Sequence, residues 1–323
     1  MSRPDGRPKN VHASQGPKNI LYAFVISRHA QRTPVTDCTV LLKSNPEQRG
    51  QLTSKGHEQA FRLGQFLRAR YATLLSADKP GQVLATHNYL DRCRDSIEEI
   101  IRGLGVQATP VLDPTSYYVH FEESLRDNFD AVVRHPAKGG FETLGDMLEF
   151  VANKAGAQTE DRSKRFLAMD SLITNTLNGN PMPSWAVPHW DDFLWAERKM
   201  FGMMLSGHEL SMARTVLTCI LDTFSLKFEA SVDRPDKLHV FSLSDTSLFS
   251  VLKLFNQSYD DRPCFCASVF FEVFCEGEGK PVVQVLFATE ENPHLVLLDK
   301  LENPGPLPEF MSFVRSVLGS NPI

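Results

Sequence analysis

The sequence predicts an α/β protein: a mostly parallel central sheet flanked by helices, with a helical cap inserted between two parts of the core. Three observations carry this. Between residues 20 and 105, strand-like and helix-like segments alternate, which implies parallel pairing through crossover helices. From about Val106 to Phe201 the pattern becomes irregular, aromatic and helical only in short pieces, as an insertion does. Beyond it, a further apolar strand ends in Ser244-Asp245 and opens another helix. The expected organisation is a flexible polar tail over 1–19, an α/β core built from 20–105 and 202–315, and a helical cap over 106–201.

Each element has its own signal. Ile20 to Ser27 is a nearly continuous apolar run, as expected of a strand buried on both faces. Leu52-Thr53-Ser54 opens a helix to about Leu75, with Ala60, Phe61, Leu63, Phe66, Leu67, Tyr71 and Leu74 at helical spacing. Val83 to Thr86 reads as a second strand, and Asn88 to about Leu104 as a second helix with Ile97, Ile100 and Ile101 inward. In the cap, Leu144 to Ala155 is helical and Pro181-Met182-Pro183-Ser184-Trp185 breaks the pattern. Leu205 to Phe228 is a long helix and Leu238 to Leu243 a third buried strand. Cys264 to Cys275 and Val282 to Phe287 alternate around Gly277 and Gly279, the pattern of a β-hairpin.

Composition excludes several function classes. A net charge of −5 over 323 residues argues against a general nucleic-acid binder, so any anion site must be local. No apolar run reaches the roughly 18 residues that a transmembrane helix needs. Met1 to Asn19 is polar and lacks an apolar segment. As written this is no secretory signal, and it points to the cytoplasm; an incomplete N-terminus would instead allow a secreted or lysosomal location. Six cysteines in so long a chain demand no disulfide. Cys264 and Cys266 are expected on one face of an alternating strand, and without a second close pair they do not read as a zinc site. No metal or cofactor is expected, and oligomeric state is not legible.

The run Arg28-His29-Ala30-Gln31-Arg32-Thr33-Pro34 follows the first strand. Two arginines around an imidazole repel one another and must be solvated or paired, so the run taken alone reads equally as a basic surface loop or as a phosphate pocket. A planar guanidinium matches a phosphate edge bidentately, and a neutral imidazole there can attack phosphorus. Binding sites in open α/β sheets lie at strand C-terminal ends. Three such ends carry polar chemistry here: Arg28-His29, Thr86-His87 and Ser244-Asp245.

These residues resemble the histidine acid phosphatases, of the branch-two histidine phosphatase superfamily. The family opening Arg-His-Gly-x-Arg-Ser/Thr-Pro stands here as Arg28 to Pro34. Leu52-Thr53, Gly56, Gln59, Leu63-Gly64, Leu67-Arg68 and Arg70-Tyr71 match its first helix, and Asp91-Arg92-Cys93 with Ser96 its second. Pro183-Ser184-Trp185 matches a cap motif, and Lys237 to Ser242 leads into the position of a His-Asp-Thr motif. The resemblance covers about 20 to 315. It implies a phosphoglycerate-mutase-like sheet and hydrolysis of a phosphomonoester through a phosphohistidine. His29 would then be the nucleophile, Arg28 and Arg32 would bind phosphate, and Asp245 would protonate the leaving alcohol.

The resemblance also implies two departures. Thr86 stands where a third phosphate-binding arginine is expected, and Ser244 where a histidine precedes the acid. Both hydroxyls can still donate to phosphate, but as neutral groups. Ala30 replaces a glycine. Losing one oxyanion donor costs about 10²–10³ in rate, and two, if additive, on the order of 10⁴–10⁶. Two readings follow: a weakened acid phosphatase, or an inactive pseudo-phosphatase that binds phosphorylated ligands. Asp245 doubles as a helix N-cap residue, Arg92 is read as an ion pair with Asp91, and His87 as an exposed residue at a helix start. His239 reads as packed, and Trp185, Trp190 and Trp195 as cap core.

Overall fold

The computed structural model describes residues 19–36, 48–76, 79–113, 140–157, 162–275, 279–289, 294–296 and 298–319. The expected tail, but for Asn19, and the cap segment 114–139 lie outside these residues, as does Cys38.

One sheet organises the chain. Its strands are β1 (Ile20–Arg28), β2 (Val83–His87), β3 (Val111–Leu112), β4 (Leu238–Leu243), β5 (Ser268–Cys275), β6 (Pro281–Ala288), β7 (His294–Leu295) and β8 (Gly305–Pro306). The spatial order is β3-β2-β4-β1-β5-β6-β7, with β8 beside β6. The β3-β2-β4-β1 half is parallel, and the β5–β6 hairpin makes the other half antiparallel. The sheet is therefore mixed, parallel only where helical crossovers separate the strands. Strand β5 begins at Ser268, so Cys264 and Cys266 lie in the loop before it rather than on an alternating strand.

Alternation along β1 divides the core. Tyr22, Phe24 and Ile26 face one side, with Phe241, Phe271 and Val273, under α6 (Glu209–Phe224), α7 (Asp245–Phe255) and α8 (Leu307–Gly319). Ala23 and Val25 face the other, with Val240 and Phe270, under α1 (Ser54–Arg70) and α2 (Asp91–Leu104). Helices α1 and α2 pack backbone to backbone: a Cβ on Gly64 would lie 2.1 Å from the Ile100 carbonyl oxygen, and one on Gly103 2.1 Å from that of Phe61. On this face, buried Glu272 accepts from Arg70 Nε at 2.5 Å, Tyr71 Oη at 2.7 Å and Gln284 Nε2 at 2.6 Å.

The described part of the inserted segment is helical. It holds α3 (Leu144–Ala155), α4 (Arg162–Leu177) and α5 (Trp190–Leu205), around Met147, Met169, Leu172, Phe193 and Phe201. A reciprocal cap between Thr143 and Asp146 starts α3 at the residue that the sequence pattern picks out. All three tryptophans pack against this cluster. Phe249 of α7 belongs to it too, which joins these helices to the core. Among the described residues no helix is long and apolar enough to cross a membrane.

Candidate functional site

Register explains why two distant motifs meet. Arg28 ends β1 opposite Leu243, the end of β4, so His29 and Ser244 leave the sheet side by side, and His29 N–H donates to the Leu243 carbonyl at 2.9 Å. The loop after His29 is held by polar groups from both helices of the opposite face. Ser96 Oγ of α2 accepts from Ala30 N–H at 3.0 Å, and Gln59 of α1 accepts from Gln31 N–H at 3.1 Å. Gly56 makes this approach feasible, since a Cβ there would lie 2.0 Å from the Gln31 carbonyl oxygen.

A cavity of about 600 Å³ opens above these strand ends. His29, Arg32, Arg92, Asp170, Ser244, Asp245 and Arg262 supply its charged and polar floor. Phe166, Leu167, Phe201, Met204 and Met212 supply an apolar wall from the cap and from α6.

His29 is 1% exposed. Its Nδ1 lies 2.9 Å from the Ala30 carbonyl oxygen; a carbonyl only accepts, so Nδ1 carries the proton and Nε2 keeps the lone pair. Burial lowers the imidazole pKa well below 6.5, and Arg92, Arg28 and Arg32 push it further the same way. The ring is therefore neutral, with its lone pair on Nε2. Phe265 lies 5.8 Å away between ring centroids and also under the Arg28 guanidinium, at 4.2 Å.

The arginines divide into two layers. Arg28 sits behind the cavity lining, 2.9 Å from Asp245 Oδ2 and donating to the Pro263 carbonyl at 2.6 Å. Burial brings its pKa down to about 10 although Asp245 opposes. Arg32 and Arg92 line the cavity. Arg32 pairs with Asp170 at 3.0 Å, and burial with Arg32 as neighbour lowers the pKa of Arg92. The Nε atoms of Arg28, Arg32 and Arg92 are buried and without a hydrogen-bond partner. Buried donors are nearly always matched, so these three stand out as donors without an acceptor near the histidine.

The structure corrects the reading of Thr86 and Arg92. Thr86 pairs with Phe241, two residues short of the end of β4, and its hydroxyl lies 2.8 Å from His239 Nε2. It is not among the residues lining the cavity. Arg92, in the first turn of α2, fills the place of a third cation, while Asp91 pairs with Arg94 instead. The signal was available, because a helix that starts at a strand's C-terminal end points its first residues at the site. His87 is engaged through Nδ1 with the Asn88 carbonyl at 2.6 Å.

Ser244 lines the cavity as the N-cap of α7, its Oγ 2.6 Å from Thr246 Oγ1 and accepting from Ser247 N–H at 3.4 Å. Asp245 follows at N1 and is 8% exposed. Burial alone would raise its pKa, but Arg262 and Arg28 outweigh burial and hold it well below the carboxylate range.

Three charged groups here carried no motif: Asp170, Glu197 and Arg262. Arg262 bridges Asp170 at 2.8 Å, Asp245 at 2.5 Å and Glu197. Asp170 did leave a trace, a lone carboxylate between buried Met169 and Leu172 on an apolar helix face.

No family model matches the chain. Lysosomal acid phosphatase of Xenopus laevis is 24% identical over 346 residues, covering 94% of this chain and 78% of that protein. Testicular acid phosphatase of Mus musculus is 25% identical over 296 residues, covering 80% and 68%. Among solved structures, the Hafnia alvei phytase in complex with tartrate superposes with a TM-score of 0.65 at 14% identity, covering 93% of this chain and 97% of that one. By sequence over most of its length the chain is similar to acid phosphatases, and by fold to a phytase, the likeness that the motif at Arg28 to Pro34 implies.

Proposed function

We propose that the protein hydrolyses phosphomonoesters through a phosphohistidine formed on His29. The observation that carries this is the imidazole itself: buried, neutral, with Nδ1 engaged and Nε2 available, with Arg32 and Arg92 beside it on the cavity and Arg28 behind. The names of the relatives, acid phosphatases and phytases, support the same chemistry.

Nε2 attacks phosphorus, and Arg32 and Arg92 bind the equatorial oxygens from the cavity side. Arg28 stands behind and fixes Asp245. Three cations thus remain, supplied by Arg28, Arg32 and Arg92. Among the oxyanion-binding groups only the histidine expected before Asp245 is missing, which argues for a loss of about 10²–10³ from that source rather than the 10⁴–10⁶ expected when Thr86 is counted as well. Because His29 stays neutral well below pH 6.5, the nucleophile persists into acid solution. The lysosomal names of several relatives support the lysosomal rather than the cytoplasmic location.

The test is hydrolysis of an aryl phosphate by wild type and His29→Ala. Turnover in wild type that falls by at least about 10⁴-fold in the variant supports a nucleophilic His29. Background rates in both, with a melting temperature raised by millimolar phosphate, would make this a phosphate-binding protein without catalysis.

A further inference from the structure

The hydrogen bonds of Asp245 bear on which phosphate esters the site can cleave, an inference that rests on the phosphohistidine reading above. Oδ2 of Asp245 accepts two hydrogen bonds from Arg262, from Nη2 at 2.5 Å and Nε at 2.8 Å, and forms an ion pair with Arg28 Nη2 at 2.9 Å. Oδ1 accepts from Thr246 N–H at 3.0 Å. Arg262 cannot swing aside freely. Its Nη1 is held by Asp170 at 2.8 Å and by Glu197, and its guanidinium lies 5.2 Å from the Phe201 ring centroid.

A general acid must hold a proton on one oxygen and present it to the leaving group. Protonating Asp245 would break a two-pronged arginine pair and leave two buried guanidinium groups facing a neutral acid. Its neighbours at the cavity are the hydroxyls of Ser244, Thr246 and Ser247, which are too weakly acidic to substitute. We propose that Asp245 is a fixed anion that positions Arg28, and that the site cleaves without a proton from it. The site then selects esters whose leaving oxygen departs as a stable anion, aryl and acyl phosphates, over alkyl phosphates.

The step balances without an acid. The Nε2 electron pair of His29 forms the N–P bond while the P–O bond breaks, and that bond's pair leaves on the oxygen as aryloxide or carboxylate. Water then attacks phosphorus, the P–N pair returns to Nε2, and both water protons stay on the released dihydrogen phosphate. Arg262 is a positioning residue here, acting on the reaction through Asp245.

The test compares kcat/KM for para-nitrophenyl phosphate, phenyl phosphate and glycerol phosphate in the intact protein. General acid catalysis is worth about 10²–10⁴-fold, so its absence puts the alkyl ester at least about 10²-fold behind the nitrophenyl ester. Arg262→Gln removes both guanidinium hydrogen bonds on Oδ2 and leaves the Arg28 ion pair. It is expected to raise the alkyl rate relative to the aryl rate by about tenfold, a change in selectivity that a purely structural role would not produce. A wild-type rate nearly independent of the leaving group overturns the proposal and points to another donor, with His208 the first candidate on the cavity wall. That result needs no variant to fold. Wild type inactive on all three esters overturns the proposal together with the phosphatase reading; the flat dependence overturns the proposal alone.

Discussion

Two clusters of buried arginine lie on this sheet, and they differ in how completely they are matched. At Glu272, both oxygens are taken by Arg70, Tyr71 and Gln284, and none of these residues lines the cavity at His29. Burial lowers the Arg70 pKa, but pairing with Glu272 outweighs burial and raises it. At His29, by contrast, Arg28 and Arg92 are shifted down, three Nε atoms lack partners and a cavity opens beside them. A closed cluster stabilises the fold. An open one has lower intrinsic stability and becomes favourable when an anion completes it.

Glu272→Ala should show the largest effect on stability. Breaking a buried pair by removing one partner costs about 3–5 kcal/mol, because the other charge is left uncompensated. Urea unfolding measures it, and a loss below about 1 kcal/mol would contradict the closed-cluster reading.

Arg92→Ala should behave in the opposite way. It is expected to lower kcat/KM on an aryl phosphate by about 10²–10³-fold, the usual cost of one oxyanion donor. Its melting temperature should hold or rise, since a like-charge neighbour of Arg32 is removed. A variant that loses stability and keeps its rate would return Arg92 to the structural class.

His239 sharpens the comparison through pH. Burial pushes its pKa down to about 3. Between about pH 3 and 6.5 the unfolded chain binds a proton at this residue that the folded chain refuses, so stability rises with pH across that window by up to about 1.4 kcal/mol per unit. Denaturant titrations at several pH values should show the slope, reduced in His239→Gln; an unchanged slope would assign it to other groups, His29 among them.

Thr86→Val is the smallest expected change: about 0.5–1.5 kcal/mol of stability from the lost contact with His239, and an unchanged rate. A marked loss of rate would restore Thr86 to the site.

Much of this was legible before folding. Strand β4 and helix α3 begin and end where apolar periodicity and capping residues put them, because those signals are local. Arg28, His29, Arg32 and Asp245 were recognisable because each belongs to a short motif at a strand end, and the fold draws these motifs together. Thr86 was misplaced because register, a long-range property of β2 against β4, sets it two residues short of the end of β4.

The chain by itself determined the α/β class, the hairpin, the buried strands and the histidine with its flanking arginines. These depend on the order and spacing of residues, which local sterics and hydrophobic periodicity convert directly into elements. Only tertiary structure decided which charges meet. Arg92, Asp170, Glu197 and Arg262 come from four separate segments, and each is unremarkable within its own. Their pairing follows from the crossing of the cap over the strand ends, where a low-dielectric setting makes contacts of about 3 Å decide the protonation of Asp245 and His29.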